Sequence, residues 1–323
     1  MPPVESKSDS KVAVILVNWN GVGDTLACIN SLLQSSVSIW RIYVVDNASQ
    51  DGSPEAIRAR HPEVELLISA KNLGYAGAFN LGSAAAMEDG ADFIWLLNND
   101  TLIDSDALET LLALDRQVGP VILSMKIRYQ DEPSLLWYAG GYLDWRLKSY
   151  HHDHNGDSEQ ASLFFPVEWA TGCSIFCSAE VARIVGPMDE RYFLYLEDVD
   201  WCLRARRLGI PIFCAGRTGL SHGLSRSVAR LEGTGVPYYA WRNYYLLVRE
   251  NGTWWQRLYA YSDLFFRFVK TGVRLALFPS YRTNPAYMAR TRGLVDFLLD
   301  RYGEAPPRTD TRRPLSQLGS VEA

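Results

Sequence analysis

Two acidic centres, far apart in the chain, hold the residues best suited to chemistry. The first is Asn98-Asn99-Asp100, which ends the apolar run Asp92 to Leu97 and opens a turn into a helix. That puts a carboxylate at the C-terminal mouth of a strand, where open α/β sheets bind ligands. The second is Tyr195-Leu196-Glu197-Asp198-Val199-Asp200-Trp201, three carboxylates at the start of a helical pattern, where the helix dipole favours anions. A histidine, His222, follows the last strand. A carboxylate with one imidazole suits a divalent ion, Mg²⁺ or Mn²⁺, that takes its remaining ligands from phosphate oxygens and water. Such an ion offsets charge on a departing diphosphate, and Glu197 or Asp198 could act as base toward an attacking hydroxyl. Each feature has a plainer reading: Asp100 as a helix cap, the acidic triplet as helix-start decoration, His222 as a loop histidine. Their order and strand-end context favour a metal-assisted nucleotide-sugar site.

The elements that must position these groups alternate in type. Lys11–Val17, Ile42–Val45, Val64–Ile68 and Phe93–Leu97 read as strands, and Thr25–Leu33, Pro54–Arg60 with Ser53 as cap, and a small-residue stretch to about Met87 read as helices. Such alternation predicts right-handed crossovers and a mainly parallel sheet flanked by helices. Every polar cluster, including Asn18-Trp19-Asn20, Asp46-Asn47 and the glycine-bearing Asn72 to Asn80, falls at a strand's C-terminal end. Val121–Ile127 reads as a further strand, Trp137–Asn155 as a loop or hairpin excursion, Ala179–Val185 and Glu197–Leu208 as helices with Gly209 closing the second, and Ile210–Ala215 as a final strand before the loop of His222.

The 323 residues, 47% hydrophobic, supply a real core. Five cysteines without paired spacing read as reduced thiols. Residues 1–222 carry 17 Lys and Arg against 29 Asp and Glu; residues 223–323 carry 15 against 8. An acidic, metal-binding part is thus followed by one suited to anionic surfaces or phosphates. Trp254–Phe278 is apolar but interrupted by Arg257, Asp263, Arg267, Lys270 and Arg274, so it should not span a bilayer. It reads either as an interfacial amphipathic helix or as one packed on the domain. The expected division is a disordered lead-in at 1–10 without a secretory signal, a nucleotide-sugar domain at 11–235, an aromatic and basic helical region at 236–303 and a disordered tail at 304–323. No reader module for DNA or RNA is recognisable. The tract His151-His152-Asp153-His154 is a weak metal candidate.

Taken together, Val17 to Asn20, Val45 to Gly52, Asn72 to Asn80 and Leu97 to Asp100 resemble the inverting family 2 glycosyltransferases of GT-A fold, over about residues 11–250. Trp169 to Cys173, Gly186 to Phe193 and Glu197 to Arg204 are similar to rhamnosyltransferase-like members. The resemblance implies that Asp46 bonds the pyrimidine base, Asn18 lines the nucleoside pocket, and Asn72, Gly74 and Gly77 flank base and ribose. It implies that Asn98 and Asn99 hold the first positions of the family's Asp-x-Asp element, and that Asp100 and His222 bind metal. Asp198 would be the base and Glu197 would steer the acceptor. Gly172 would leave room for the donor sugar, Trp169 and Trp201 would stack on sugars, and Arg226 would reach the diphosphate. Asn98, in place of the usual Asp, adds no charge to the metal. The implied reaction moves L-rhamnose from dTDP-L-rhamnose to a glycan or polyprenyl-diphosphate-linked saccharide at the cytoplasmic face of the plasma membrane. A UDP-sugar donor (GlcNAc, galactofuranose) and a catalytically silent nucleotide-sugar binding protein remain as alternatives.

Overall fold

The computed structural model describes residues 10–151, 163–223 and 235–305. Arg226, residues 152–154 of the histidine tract, residues 1–9 of the lead-in and 306–323 of the tail lie outside them. The first half runs β1 (Val12–Asn18), α1 (Val22–Leu32), β2 (Arg41–Asp46), α2 (Ser53–Arg60), β3 (Glu65–Ile68), α3 (Gly74–Glu88) and β4 (Phe93–Asn98). Then come β5 (Thr101–Ile103), α4 (Ala107–Val118), β6 (Ile122–Tyr129), β7 (Leu136–Tyr138), β8 (Gly141–Leu143), β9 (Ser149–His151), β10 (Phe164–Pro166), β11 (Ser174–Ser178), α5 (Ala179–Val185), α6 (Glu197–Arg207) and β12 (Ile212–His222). Four helices close the described chain: α7 (Gly235–Asn251), α8 (Trp254–Leu277), α9 (Pro279–Thr283) and α10 (Pro285–Leu298).

The main sheet has the order β10-β12-β6-β11-β4-β1-β2-β3. Strands β3, β2, β1 and β4 pair in parallel, as do β6 and β12, while β11 runs antiparallel between β4 and β6. The continuous apolar run of β1 is explained by its central place: all seven residues are buried. Helix α3 lies close on β1 and β2 because its inner face is Ala76, Gly82, Ser83 and Ala86; a side chain at Gly82 would press into Ile15 and Val45. All five cysteines are free and buried in this core.

Three expectations need correction. The tripeptide Asn98-Asn99-Asp100 does not open directly into a helix, because β5 intervenes and α4 starts only at Ala107. The last strand does not stop at Ala215; β12 runs on through an irregular register to His222, so that histidine sits on a strand. Ser53 is the first residue of α2 and the cap is Gly52, whose φ of 77° is a left-handed conformation that glycine adopts freely.

The C-terminal helices pack partly on the sheet domain. Helix α7 buries Tyr238, Tyr239, Arg242, Asn243, Tyr245, Leu246, Leu247 and Val248, and α10 lies along it. Helix α8 begins with a Thr253–Gln256 capping box but buries only Ala260 and Leu264. No described helix is long and apolar enough to cross a membrane.

Candidate active site

The two halves of the proposed metal pair meet because of the element the sequence did not reveal. Strand β5 pairs antiparallel with the end of β12, placing Thr101 opposite His222. Asp100 is the residue just before, and its Oδ1 lies 3.0 Å from His222 Nε2, with both side chains buried. Asn98 Nδ2 lies 3.3 Å from the same nitrogen, and the Trp137 ring packs on the imidazole at 4.5 Å. Burial works against a charge on His222, but Cys173 and Asp100 outweigh it and hold its pKa up at about 10. Among the described residues no group of three or more His, Cys, Asp or Glu could hold a metal. The pair still fits one: Asp100 Oδ1 and His222 Nε2 converge at 3.0 Å in the cavity wall, and one carboxylate with one imidazole leaves most of the coordination sphere to diphosphate oxygens and water.

A cavity of about 560 Å³ opens at the C-terminal ends of the strands, within the range of small-ligand sites. Along the sheet, Asn47 and Trp19 follow the ends of β2 and β1, Asn98 ends β4 and is followed by Asn99 and Asp100, and His222 ends β12. Asn47 donates from Nδ2 to Asn72 Oδ1 (2.8 Å) and to the Gly74 carbonyl (3.1 Å), and accepts from the Leu73 N–H (2.8 Å), so it shapes the glycine loop. Asn72 and Gly74 line the cavity. Gly74 has φ 73°, and any side chain there would collide with Phe193.

Asn18 and Asp46 lie beneath this wall, not on it. Asn18 is buried and donates to Asp46 Oδ2 at 2.8 Å, while Asp46 Oδ1 accepts from the Ser49 N–H at 2.9 Å. Thr25 donates to Asn18 Oδ1 (2.7 Å) and Asn99 donates to Thr25 Oγ1 (2.8 Å). This chain of bonds fixes the loops after β1, β2 and β4 relative to one another.

The acid pair enters from the other side. Asp198 accepts from the Gly172 N–H and from its neighbour Val199 N–H, both at 2.8 Å. The Gly172 carbonyl in turn accepts from Tyr75 Oη at 2.6 Å, and a Cβ on Gly172 would sit 3.2 Å from the Tyr75 ring and 3.5 Å from Asp198 Oδ2. Glu197 is 5% exposed, lines the cavity and has no hydrogen-bond partner for Oε2. Burial raises the pKa of both carboxyls; the Asp198 charge raises Glu197 further, whereas the backbone N–H bonds to Asp198 oppose its shift. The N–H bonds to Asp198 favour its charged form, and Glu197, without such bonds at Oε2, is the more strongly biased toward its protonated form. The turn leading to them is strained: Phe193, Tyr195 and Leu196 have φ of 64°, 70° and 71°. Such left-handed geometry costs L-residues roughly 1–2 kcal/mol each, and strain of this kind collects at functional sites.

The cavity therefore gathers Asn72, Gly74, Asn98, Asn99, Asp100, Trp169, Gly172, Glu197, Asp198 and His222. It does not include Gly77 or Trp201. A side chain at Gly77 would meet Leu73 and approach Glu190, so this glycine serves close packing at the start of α3. Trp201 departs from the sugar-stacking expectation because it is 2% exposed on the inner face of α6 and donates from Nε1 to the Gly186 carbonyl. Trp169 keeps its place in the wall, with Nε1 donating to the Tyr142 carbonyl at 2.9 Å. Sequence reasoning passed over Asn47, Tyr75, Trp19 and Trp137. Asn47 and Trp19 had a visible signal, each lying in a polar cluster at a strand end, and Tyr75 lay within the glycine-bearing stretch; Trp137 had none.

Residues 13–173 match the family described as Glycosyl transferase family 2. The chain is 27% identical over 259 residues to the N-acetylglucosaminyl-diphospho-decaprenol L-rhamnosyltransferase of Mycobacterium tuberculosis, covering 72% of this chain and 81% of that one. It is 27% identical over 257 residues to the dTDP-rhamnosyl transferase RfbF of Shigella flexneri, covering 75% and 81%. The mannosyltransferase PcManGT from Pyrobaculum calidifontis, solved with GDP-Man and Mn²⁺, has a similar fold with a TM-score of 0.55 at 14% identity, covering 90% of this chain and 88% of its own. The family match spans β1, β2 and β4, whose C-terminal ends line one side of the cavity, and ends at Cys173, beside the acid pair's partner Gly172, and the chain belongs to glycosyl transferase family 2 as a glycosyltransferase of GT-A fold.

Proposed function

We propose that this glycosyltransferase moves L-rhamnose from dTDP-L-rhamnose to a lipid-linked saccharide, inverting the anomeric configuration and depending on Mg²⁺ or Mn²⁺. The observation that carries the mechanism is the meeting, in one cavity, of a backbone-held carboxylate, Asp198, with the Asp100–His222 pair. Asp198 accepts the proton of an acceptor hydroxyl as that oxygen attacks the anomeric carbon, and the bond from that carbon to the diphosphate oxygen breaks with its electrons going to the diphosphate. Asp100 and His222 would hold the ion, whose charge offsets that of the leaving group. Glu197, carrying its proton, donates to a sugar oxygen and orients it. Asn47, Asn72, Gly74 and Trp19 face the nucleoside, with Asp46 and Asn18 fixing their loops. Direct displacement on the face opposite the diphosphate gives inversion.

The choice of rhamnose is supported by the names of the two bacterial relatives. The lipid-linked acceptor is supported by one of those names and by the outer face of α8, where Trp255, Phe265 and Phe266 are 63%, 64% and 69% exposed beside Lys270 and Arg274. This face suits docking on an anionic membrane surface, placing the enzyme at the cytoplasmic side of the plasma membrane. A thermal-shift titration with dTDP-rhamnose, UDP-GlcNAc, UDP-galactofuranose and GDP-mannose, each with and without Mn²⁺, tests the donor, because a ligand bound only by the folded state raises the melting temperature. A Mn²⁺-dependent shift led by dTDP-rhamnose is expected; a shift led by a UDP-sugar moves the assignment to that donor.

A further inference from the structure

Asp198 and Glu197 stand on the first turn of α6, and the backbone just before them has three residues of positive φ that are not glycine. Something must hold that turn. Phe193 is fixed from one side, where its carbonyl accepts from the Tyr75 N–H at 2.6 Å. From the opposite side comes α7. Asn243 Nδ2 lies 3.0, 2.8 and 2.7 Å from the carbonyls of Tyr192, Leu194 and Tyr195. Arg242 Nη2 donates to the carbonyls of Arg191 (3.1 Å) and Tyr192 (2.8 Å), and its Nε donates to Asn243 Oδ1 at 2.9 Å, which orients the amide. The last two guanidinium N–H groups, on Nη1, reach the Gly303 carbonyl (2.7 Å) and Tyr238 Oη (3.4 Å). Both side chains are fully buried.

A guanidinium has five N–H donors in a rigid fork, and here each has an oxygen. Four of the five serve the backbone or the Asn243 amide; none reaches a carboxylate directly. The Tyr238 and Tyr239 rings lie 5.2 and 5.1 Å from the cation, and Tyr238 Oη donates to the buried Asp296 at 2.9 Å. A buried cation used this way organises main chain. Farther along α7, Asn251 Nδ2 donates to Asp200 Oδ1 at 2.8 Å, so the same helix that holds the turn also holds α6 itself.

We infer that Arg242 and Asn243 are positioning residues for catalysis, holding Tyr192–Leu196 in its left-handed turn so that Asp198 and Glu197 face the cavity. The inference rests on Asp198 being the base. Without the Asn243 donors, Tyr195 and Leu196 would relax toward negative φ and the first turn of α6 would rotate away from Gly172. The nucleotide side, built on β1, β2 and α3, would keep its form.

The test is Asn243→Ala and Arg242→Lys, with kcat and donor KM measured alongside the melting-temperature shift given by dTDP. A displaced base predicts a kcat lower by about 10- to 100-fold with donor KM within about twofold and the dTDP shift retained. Wild-type kcat in both variants, or donor binding lost in proportion to kcat, overturns the inference. Asp198→Asn run in parallel separates the two claims: if it is fully active, the base assignment has failed, whereas its inactivity beside fully active Asn243→Ala rejects the positioning role alone. Should Asn243→Ala not fold, Leu196→Gly in that background decides, because glycine adopts a φ near 71° without steric cost. Recovery of folding and part of kcat is then expected, and absence of recovery counts against the inference.

Discussion

Replacing Asp198 by Asn separates chemistry from architecture, because the two effects differ in size. Both carboxylate oxygens accept backbone N–H bonds, from Gly172 and Val199 at 2.8 Å each. An amide offers one acceptor oxygen, so whichever way it is turned one N–H faces an NH₂ group. Leaving a donor unsatisfied there costs about 1–3 kcal/mol of stability. Loss of a positioned base lowers kcat by about 10²–10⁴, which is about 2.7–5.4 kcal/mol of barrier at ~1.36 kcal/mol per decade. The assay is release of dTDP at saturating donor and acceptor, with melting temperature followed with and without dTDP and Mn²⁺. The expected variant melts lower than wild type, keeps its dTDP-dependent shift and donor KM, and turns over in that reduced range. A kcat within about tenfold of wild type would refute the assignment, and loss of the dTDP shift together with turnover would make Asp198 a structural residue.

Further tests address the other groups. Glu197 has a folded-state pKa raised by burial and by the Asp198 charge, so the stability it contributes is present below the ordinary Glu range and lost as pH rises through the folded pKa. Glu197→Gln escapes that loss, and its melting temperature should gain on wild type as pH rises; a difference that is flat with pH rules out the protonated-acid assignment. Asp100→Asn and His222→Ala should each weaken Mn²⁺-dependent dTDP stabilisation by about tenfold or more in apparent affinity, measured by thermal shift; unchanged Mn²⁺ dependence would remove the pair from the metal site. Gly172→Ala brings a methyl to 3.2 Å from Tyr75 and 3.5 Å from Asp198 and should lower kcat/KM for the donor while the dTDP shift persists. Phe265→Glu with Phe266→Glu should release the protein from anionic liposomes without changing soluble-acceptor activity, and retained binding sinks the membrane-docking reading of α8. Point substitutions serve better here than truncation from Trp254, because α10 lies on α7 and Arg242 holds the Gly303 carbonyl.

The strand ends were legible in the sequence because burial on both faces writes a strand as a continuous apolar run, and the polar residue that ends it stands out. Asp46 and Asp100 stand out that way, whereas Asp198 stands out as one of three carboxylates at a helix start. The Asp100–His222 contact was not, since it depends on Thr101-Leu102-Ile103, three residues too short to show an alternating pattern, and on a β12 whose register slips around Gly216 to Gly219. Trp169 and Trp201 look alike as aromatic residues near the acid pair. Their fates divide on helical phase, which puts Trp201 on the buried side of α6 with Val199 and Cys202.

Arg242 and Asn243 show the harder limit. In a helix rich in Tyr and Arg they read as solvated polar positions, and no local rule assigns them a partner about fifty residues back in the chain. What reveals them is the backbone they hold. A turn with φ of 64°, 70° and 71° at Phe, Tyr and Leu has no sequence cue, since a turn built on glycine or asparagine would meet the same geometry at less cost. The aromatic and leucine side chains there line the cavity instead. Keeping large side chains at left-handed positions next to the acid pair therefore requires an external clamp, and the domain places that clamp in the C-terminal helices. A variant of Phe193, Tyr195 or Leu196 should for this reason depend on Asn243 in a way a variant of Trp169 does not: coupling energies in double-mutant cycles with Asn243→Ala should be about 0.5–3 kcal/mol for the turn residues and near zero for Trp169, and equal coupling at both places would show that Asn243 acts only through general stability.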